Sequence, residues 1–455
     1  MSLISTNPET GGKLKAYPEA SVEEVSTILD DAAHAFLGWS KGTIENRAIR
    51  FQSAARTLRE SSEKAARLMA EEMGKPLVQG RLEVDKCAAA CEYFAENAER
   101  FLSSIPVEAD ARKSFVSFRP LGVILAIMPW NFPFWQVFRA AIPAIVAGNT
   151  VVLKHSSNVS GCALLIQEIF DKAGFPLGVF RCLLVGSGRI EEVISDPRVQ
   201  AVTMTGSTEA GRAVARAAGG ALKKCVLELG GSDPYLILED ADLGLAARTC
   251  AASRLINSGQ SCIAAKRFIV VESVRHDFEA LFVQEMGSQK MGCPMDESTR
   301  IGPLAKADLR EVVARQVEQS IAGGARCLLG GTAPQLPGYF YPATVLTDVG
   351  KGMAAFDEEV FGPVAAVVPV SDEAEAIRTA NDSLYGLGAA VFSRDLQKGE
   401  RIAVEDLEAG NCFVNTFVRS DPRLPFGGIK ESGYGRELSM FGIREFMNIK
   451  TVFVG

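Results

Sequence analysis

The sequence predicts an α/β fold made of two units, and three observations lead to this prediction. The chain has 455 residues, which is three times the usual domain length of roughly 150 residues. After residue 120, short apolar segments alternate with helical segments, the order typical of a doubly wound parallel sheet. The run Gly230-Gly231-Ser232 separates two such series, so we expect a domain boundary there.

The first hundred residues are predicted to be helical. Apolar residues recur at helical spacing from Val22 to Trp39 and again from Asn46 to Phe101, among many charged residues. An isolated strand is expected from Ser114 to Phe118. A strand from Lys450 to Val454 ends a segment too short to fold alone, so we expect it to pair with that isolated strand or with another subunit.

The alternating series predict the remaining elements. Strands are expected at Val123 to Met128, Thr150 to Leu153, Phe180 to Val185, Ala201 to Met204 and Cys225 to Leu229. Helices are expected at Phe134 to Val146, Cys162 to Lys172, Glu191 to Ile194 and Glu209 to Ala218. The second series has strands at Tyr235 to Leu238, Arg267 to Val271, Val364 to Val370 and Cys412 to Val414, and a helix at Ala305 to Ile321.

Composition argues against several classes of protein. Hydrophobic residues make up 47% of the chain and charged residues 23%, which is typical of globular domains rather than disordered, fibrous or membrane-embedded chains. The net charge of -7 disfavours nucleic acid as a partner. The N-terminus lacks the features of a signal peptide, and prolines interrupt the apolar stretch from Arg119 to Lys154, so we expect a cytoplasmic protein.

Histidine and cysteine usage restricts the chemistry. The three histidines, His34, His155 and His276, lack metal-ligand spacing, so neither a zinc site nor a serine–histidine triad is expected. The ten cysteines contain no CxxC pair, which predicts reduced thiols in an intracellular compartment. We therefore expect the acid, base or nucleophile among the Cys, Glu, Asp and Lys residues.

Two glycine-containing turns are candidates for binding a phosphate group. Residues 206–211, Gly-Ser-Thr-Glu-Ala-Gly, follow a predicted strand and open a helix, where backbone N–H groups bind anions. The segment lacks both the GxGxxG spacing and the Lys-Ser/Thr ending of known nucleotide-binding loops, so a plain strand-to-helix turn is the alternative. Gly186-Ser187-Gly188 is a second, weaker instance.

Cys262 and Glu228 are the candidate reactive side chains. Cys262 ends a polar loop, residues 257–262, from which a thiol acts as a nucleophile once it is deprotonated. Glu228 lies near the end of an apolar strand, where burial raises the pKa of a carboxyl group and suits it to act as a general base near neutral pH. A buried structural cysteine and a salt-bridged glutamate are the alternatives.

Six motifs resemble those of the aldehyde dehydrogenase superfamily, in the same order and over essentially the whole chain. They are Pro129-Trp130-Asn131-Phe132-Pro133, Gly206-Ser207-Thr208, Leu227-Glu228-Leu229-Gly230-Gly231, Gly259-Gln260-Ser261-Cys262, Glu358-Glu359-Val360-Phe361-Gly362-Pro363 and Pro425-Phe426-Gly427-Gly428. The resemblance implies a Rossmann-type cofactor domain (1–107 and 121–230), an α/β catalytic domain (231–430) and a small β oligomerisation element (108–120 and 431–455). It also implies a homodimer or homotetramer.

The resemblance implies a role for each matching residue. Cys262 would attack the aldehyde, Asn131 and the Cys262 N–H would bind the oxyanion, and Glu228 would activate the water that releases a carboxylic acid. The implied cofactor-binding residues are Met128, Pro129, Trp130, Lys154, Ser156, Ser157, Gly186, Gly206, Ser207, Leu229, Glu359 and Phe361. No metal ligand is expected.

Lys154 and Ser157 indicate the choice of cofactor. Lys154 matches the lysine that binds the adenosine ribose, and many NAD-dependent members of the family carry a glutamate at the place of Ser157. A carboxylate there would repel a 2'-phosphate, whereas a serine hydroxyl donates a hydrogen bond to it. We therefore expect NADP to be used at least as well as NAD.

Arg139 indicates the substrate. It lies eight positions after Asn131, two helical turns from the predicted oxyanion site, and a lone arginine in an uncharged segment is costly to bury unless it binds an anion. Succinate-semialdehyde dehydrogenases have an arginine at this place, so the resemblance implies succinate semialdehyde, with Trp135 and Ser420 as further substrate-binding residues. A structural pair with a distant carboxylate is the alternative role for Arg139. Ile256 departs from some members of that branch, which have a second arginine there.

Two alternative functions stay open. One carbon changes substrate discrimination only modestly, so another short aldehyde such as glutarate semialdehyde is the second candidate. A silent structural or binding relative is the third, and the intact set of Cys262, Glu228 and Asn131 disfavours it.

Overall fold

Three sheets of three or more strands organise the chain in the computed structural model, which describes residues 2–455. Sheet I has six strands, in the spatial order Gly433–Tyr434, Lys224–Glu228, Val199–Thr205, Val123–Met128, Thr150–His155 and Phe180–Cys182. Sheet II has seven strands, in the order Arg326–Leu329, Thr344–Thr347, Val364–Val370, Arg267–Val271, Pro234–Ile237, Gly388–Phe392 and Asn411–Val414. The small sheet joins Met447–Val454, Lys113–Pro120 and Ile105–Pro106.

Sheets I and II are parallel except at one edge each, which confirms the predicted α/β class. The antiparallel edge strands are Gly433–Tyr434 in sheet I and Arg326–Leu329 in sheet II. The helices of the first series are Trp135–Val146, Ser160–Lys172, Ile190–Ser195 and Thr208–Gly220. The later helices are Leu243–Leu255, Glu272–Gly287, Ala307–Ala322, Ala354–Asp357, Glu373–Asn381, Leu396–Arg401 and Ser439–Glu445. Within residues 2–455, no helix is long and apolar enough to cross a membrane.

The N-terminal region begins with a hairpin that the sequence analysis missed. Ser2–Thr6 pairs antiparallel with Lys13–Pro18, ahead of the helical region. The helices there are Val22–Trp39, Ile44–Glu60, Ser62–Met73 and Leu77–Leu102. The predicted helical region from Asn46 to Phe101 is therefore divided. One break falls at Gly74, which adopts a left-handed φ of 77° and ends its helix.

The predicted apolar segment forms the centre of the first unit. Every residue of helix Trp135–Val146 is buried, and this helix packs against sheet I and helix Leu77–Leu102. A helix that is apolar on all sides is stable only inside a large core, which the length of the chain supplies. The only charged side chain of this helix, Arg139, is therefore carried into the interior.

The C-terminal strand pairs with the isolated strand, as one of the two predicted alternatives. Met447–Val454 runs antiparallel to Lys113–Pro120 over its whole length. The range 431–455 is not a single element, however. Gly433–Tyr434 joins sheet I, because Gly433 has φ 109° and a side chain there would collide with the Leu227 carbonyl oxygen. The small sheet also reaches back to Ile105, before the predicted boundary at 108.

The chain crosses between the two large sheets at residues 229–233. Lys224–Glu228 is the last parallel strand of sheet I, and Pro234–Ile237 is the first strand of sheet II. The predicted boundary at Gly230-Gly231-Ser232 lies within this crossing. Ligands bind where the carboxyl ends of parallel strands face an opening, so this crossing directs attention to the space beside it.

Candidate active site

Three connected cavities run from the end of sheet I to the interior. The large cleft has a volume of about 860 Å³ and the middle cavity about 250 Å³, and they share Pro129, Trp130 and residues 205–207. The small cavity, about 70 Å³, shares Gln136 and Cys262 with the middle cavity. The Cys262 side chain therefore stands between the middle and the small cavity.

The backbone before Cys262 is strained. Asn257, Ser258 and Gly259 are three consecutive residues in the left-handed region, with φ of 53°, 57° and 77°. A Cβ atom on Gly259 would lie 2.2 Å from the Gly362 carbonyl oxygen, so only glycine fits there. Strain of this kind persists where the surrounding structure enforces it, which is common at active sites.

Lys266 fixes the position of the Cys262 main chain. The buried Lys266 ammonium donates to the carbonyl oxygens of Cys262 at 2.6 Å and Ser261 at 2.9 Å. Burial raises the pKa of the Cys262 thiol to about 12, although the charges of Arg139 and Lys266 oppose this effect. The thiol is therefore protonated at rest, and a nearby base must remove its proton before it can act as a nucleophile.

Asn131 is anchored beside the Cys262 loop. Its side-chain amide donates to the Gln260 main-chain carbonyl oxygen at 3.1 Å, and its main-chain carbonyl oxygen accepts from the Asn257 side-chain amide at 2.6 Å. An amide group has two N–H donors, so one remains for a ligand after this bond. The Cys262 N–H donates to no acceptor within residues 2–455. These two donors agree with the predicted oxyanion site.

Glu228 lies behind the cavities rather than in their walls. Its side chain is 1% exposed, and its oxygens make no hydrogen bond within the described part of the chain. Burial raises the pKa of Glu228 well above its ordinary value, with the Arg139 charge opposing and the Glu437 charge reinforcing this shift. The raised pKa agrees with the predicted environment of a general base. In this conformation the carboxylate packs against Gly427.

Ten of the twelve predicted cofactor-binding residues line the cavities. The large cleft is lined by Met128, Pro129, Trp130, Lys154, Ser156, Gly206 and Ser207, and the middle cavity additionally by Leu229, Glu359 and Phe361. Ser157 and Gly186 do not line them. Ser157 opens a 3-10 turn and its carbonyl accepts from Ser160, whereas the Gly186 N–H donates to Glu19 at 3.2 Å. Their neighbours Ser156 and Ser187 face the cleft.

Glu359 and Phe361 are held in place around the middle cavity. The Glu359 carboxylate accepts from the Gly231 N–H at 3.0 Å and lies 3.5 Å from the Lys266 ammonium. A Cβ atom on Gly230 would lie 2.6 Å from Glu359, which explains a glycine at that place. The ring of Phe361 meets Trp130 edge to face at 5.8 Å. These contacts link the crossing between the two large sheets, at Gly230 and Gly231, to the wall of the middle cavity.

Lys306 and His155 contribute in ways that the sequence analysis missed. Lys306, just before helix Ala307–Ala322, lines the large cleft together with Lys154. Burial lowers the pKa of Lys154, and the nearby Lys306 charge adds to that shift. His155 is buried and neutral, because burial lowers its pKa to about 4, and its ring bonds the Pro133 carbonyl oxygen at 2.9 Å. It thereby ties loop 129–133 to sheet I.

The structure supports the alternative role predicted for Arg139. Arg139 is 2% exposed and lines the small cavity, but its guanidinium forms an ion pair with the buried Glu437. It also donates to the Thr205 hydroxyl at 3.1 Å. These contacts engage the Nε and Nη2 atoms, and the Nη1 group has no hydrogen-bond partner within residues 2–455. Trp135 and Ser420, the other predicted substrate residues, also line this cavity.

The cysteines form no disulfide, and the described residues contain no arranged set of metal ligands. All ten cysteines are free. No group of three or more His, Cys, Asp and Glu side chains within residues 2–455 is arranged to hold a metal ion. The site combines a strained cysteine loop, two N–H donors without an acceptor, a buried carboxyl of raised pKa and a cleft at the carboxyl ends of parallel strands.

Such an arrangement defines an aldehyde dehydrogenase, and the chain belongs to the aldehyde dehydrogenase family, which it matches over residues 2–452. Among its relatives is the Escherichia coli strain K12 protein named succinate semialdehyde dehydrogenase (NAD(P)+) Sad. The two are 47% identical over 450 residues, covering 99% of this chain and 97% of the relative. Succinate-semialdehyde dehydrogenase (NADP(+)) 1 of Mycobacterium tuberculosis strain H37Rv is 46% identical over 457 residues, covering both chains completely.

A solved structure has the same fold. The succinic semialdehyde dehydrogenase from Streptococcus pyogenes in complex with NADP+ matches with a TM-score of 0.97 and 37% sequence identity. The match covers 99% of each chain. The predicted α/β fold of the aldehyde dehydrogenase type is therefore confirmed.

Proposed function

We propose that the protein oxidises succinate semialdehyde to succinate with NADP+, and that NAD+ also serves. The observation that carries this proposal is the position of Cys262 between the middle cavity, which opens into the cationic large cleft, and a small cavity whose wall has three further cations. The names of the relatives from Escherichia coli, Mycobacterium tuberculosis and Streptococcus pyogenes supply the substrate and the cofactor.

The Cys262 loop carries out the first half of the reaction. The Cys262 sulfur attacks the aldehyde carbon, and the carbonyl oxygen becomes an oxyanion in a thiohemiacetal. The free N–H of the Asn131 amide and the Cys262 N–H are the donors for that oxyanion, and both are fixed before substrate arrives. The thiol proton needs an acceptor, and the charges of Glu359 and, more weakly, Glu228 act on the Cys262 thiol. Glu359 is already bound by the Gly231 N–H and lies beside Lys266, so we assign the proton to Glu228, which passes it to solvent before the second half of the reaction.

The second half of the reaction requires a base. When bound, the nicotinamide cofactor supplies the hydride acceptor that leaves a thioester on Cys262. Glu228 then takes a proton from a water molecule, the water oxygen attacks the thioester carbon, and the carboxylic acid leaves as the Cys262 thiolate is released. Glu228 packs against Gly427 and lines none of the three cavities, so we propose that its side chain turns toward Cys262 for this step.

The large cleft and the middle cavity fit a phosphorylated dinucleotide. The large cleft lies at the carboxyl ends of the sheet I strands, the place where such folds bind nucleotides. Lys154, Lys306 and Arg216 give its wall a cationic character that suits a 2'-phosphate, against one carboxylate from Glu191. Glu359 and Phe361 would hold the ribose and the ring at the Cys262 end.

The small cavity favours a short, anionic aldehyde. Its volume of about 70 Å³ leaves no room for a long chain, and Lys86, Arg139 and Arg419 contribute cations to its wall. Glutarate semialdehyde, one carbon longer, is the second candidate, because it carries the same two functional groups.

The small sheet offers a surface for the assembly of the protein. We propose a cytoplasmic homodimer or homotetramer that associates through the small sheet. Met447–Val454 is an edge strand of that sheet, and Ile449, Phe453 and Val454 are exposed on it. An exposed apolar edge strand is a surface on which a second copy of a sheet can pair.

The experiment that tests the proposed function is a steady-state assay of the purified protein. NADPH and NADH formation is followed with succinate semialdehyde, glutarate semialdehyde and butanal, with Cys262→Ala as the control for contaminating activity. We expect the highest kcat/KM with succinate semialdehyde and NADP+. A protein that oxidises none of these aldehydes would instead fit the silent relative.

A further inference from the structure

Gln136 lies where the middle cavity meets the small cavity. It and Cys262 are the two residues that line both cavities. Gln136 belongs to the first turn of the buried helix Trp135–Val146, and its main-chain N–H donates to the Phe132 carbonyl oxygen at 3.0 Å. The Gln136 side chain is therefore fixed beside the sulfur atom on which the proposed thioester forms.

The side-chain oxygen of Gln136 has no partner. The residue is 2% exposed, and its Oε1 atom is buried without a hydrogen bond in the described part of the chain. An amide oxygen that is removed from water without a new partner is costly, and such groups in folded proteins usually have a partner in the working state. The position of Gln136 implies that this partner enters through the cavities.

The neighbouring groups without partners are also acceptors. The Asn131 Oδ1 atom and both carboxyl oxygens of Glu228 are buried and make no hydrogen bond within residues 2–455. The aldehyde, the thioester and a substrate carboxylate offer only acceptor oxygens, so none of them can pair with these groups. A water molecule has two O–H donors, and it therefore fits a place that is surrounded by acceptors.

Glu228 lies behind the junction at which Gln136 is placed. Thr205, which lines the middle cavity, is the partner of Glu228 in the neighbouring strand of sheet I. A Cβ atom on Gly427 would lie 2.8 Å from the Glu228 carboxyl group, and the preceding Phe426 lines the small cavity. The carboxyl group is therefore next to the walls of both cavities, and a turn of its side chain would bring it to the junction.

We propose that Gln136 is a catalytic residue for hydrolysis of the thioester, in which its Oε1 atom accepts a hydrogen bond from the attacking water molecule. This inference rests on the proposed roles of Cys262 and Glu228 and deepens them. One proton of the water passes to Glu228, the water oxygen bonds to the thioester carbon, and the bond from that carbon to sulfur breaks. The electron pair of that bond leaves with the thiolate. Gln136 takes no proton and fixes the direction of attack.

The first test is rapid mixing of Gln136→Met with succinate semialdehyde and saturating NADP+. Met has a similar length and lacks the amide oxygen. We expect the first equivalent of NADPH to form within about threefold of the wild-type rate, because attack by Cys262 does not need the water. Later turnovers should be about 10- to 100-fold slower, as for loss of one buried hydrogen bond. Mass spectrometry of the acid-quenched variant should show a succinyl group on Cys262.

Gln136→Glu provides a second, independent test. It keeps an acceptor oxygen and adds a carboxylate near Glu228, and a neighbouring like charge raises the pKa of a carboxyl group. The base must lose its proton to act, so the rise of kcat should move to higher pH than in wild type. Above that rise, its turnover should exceed that of Gln136→Met, because the water still has its acceptor.

Gln316→Met is the matched control. Gln316 is also 2% exposed with a buried Oε1 atom that has no partner, but it lines none of the three cavities. We expect this variant to change the first and the later turnovers in equal proportion. If Gln136→Met does the same or accumulates no succinyl-enzyme, or if Gln136→Glu has the wild-type pH profile, the Gln136 proposal is overturned. A wild-type enzyme that forms no NADPH even in the first turnover would instead overturn the proposed function.

Discussion

The two cavities that meet at Cys262 differ in their treatment of charge. The wall of the middle cavity has Trp130, Leu229 and Phe361, and its one carboxylate, Glu359, is held by Gly231 and Lys266. The small cavity has three cations in a smaller space and no carboxylate in its wall. The middle cavity therefore suits a flat ring without negative charge, and the small cavity suits an anion.

A second contrast lies within the small cavity itself. Arg139 and Lys86 are both cations in its wall, but only Arg139 has a buried carboxylate partner. Burial is the main cause of the raised pKa of Glu228, and the charges of Arg139 and Glu437 act on that pKa in opposite directions. Arg139 therefore acts on the proposed base Glu228, whereas Lys86 forms no ion pair within residues 2–455. Variants of the residues in and around these cavities test the two contrasts.

Replacement of Cys262, which both cavities share, has the largest expected effect. We expect Cys262→Ser to lower kcat/KM for every aldehyde by at least about 1000-fold, because an alkoxide is far harder to generate than a thiolate. The Tm of thermal unfolding should change little, because the Cys and Ser side chains have similar size. Residual activity above about one tenth of wild type would show that the nucleophile lies elsewhere.

Glu228→Gln acts on the step after thioester formation. We expect a burst of one equivalent of NADPH followed by steady-state turnover about 100- to 1000-fold slower than wild type. In wild type, kcat should rise with pH between about 6 and 9, because the carboxyl group must lose its proton and its pKa is raised from an ordinary value of about 4.3. A burst-free loss of activity, or a kcat independent of pH, would contradict this role.

Arg139→Ala tests whether Arg139 acts on the charges of Glu437 and Glu228 or binds the substrate. The change leaves Glu437 buried without its cation, which should lower the free energy of unfolding by about 3–5 kcal/mol. Removal of the positive charge raises the pKa of Glu228 further, so the rise of kcat moves to higher pH.

The two aldehydes provide the control for this variant. We expect kcat/KM for succinate semialdehyde and for butanal to fall together in Arg139→Ala. A selective loss for succinate semialdehyde would instead show that Arg139 binds the substrate carboxylate.

Ser157→Glu has the smallest expected effect and concerns the large cleft. A carboxylate beside Ser156 and Lys154 repels a 2'-phosphate, so kcat/KM for NADP+ should fall about tenfold while that for NAD+ stays within threefold. Ser157→Ala serves as the matched control without a charge. Equal changes for both cofactors would mean that Lys154 and Lys306 alone set the cofactor preference.

Much of the fold follows from local patterns in the sequence. Strands Val123–Met128, Arg267–Val271 and Val364–Val370 and helix Val22–Trp39 have the predicted bounds, because apolar runs between turn residues define them. The hairpin of Ser2–Thr6 and Lys13–Pro18 was missed. Its strands are short and its second strand is largely exposed, so they lack a hydrophobic pattern of their own.

Site residues that belong to local sequence motifs were predictable. Contacts between residues that are distant in sequence were not. Cys262, Glu228 and Asn131 belong to motifs, and most cofactor residues lie at strand ends. Lys86 lies on an amphipathic helix, where a lysine usually indicates a solvated face. The partner of Arg139, Glu437, is distant in sequence, and no sequence pattern links the two.

The central claim is that the cavity beside Cys262 selects a short aldehyde with a distal carboxylate. The ratio of kcat/KM for succinate semialdehyde to that for butanal, measured with saturating NADP+, tests this claim most directly. We expect a ratio of at least about 10, which corresponds to one charged hydrogen bond of about 1.4 kcal/mol in the transition state. A ratio near one, or a preference for butanal, would contradict the account.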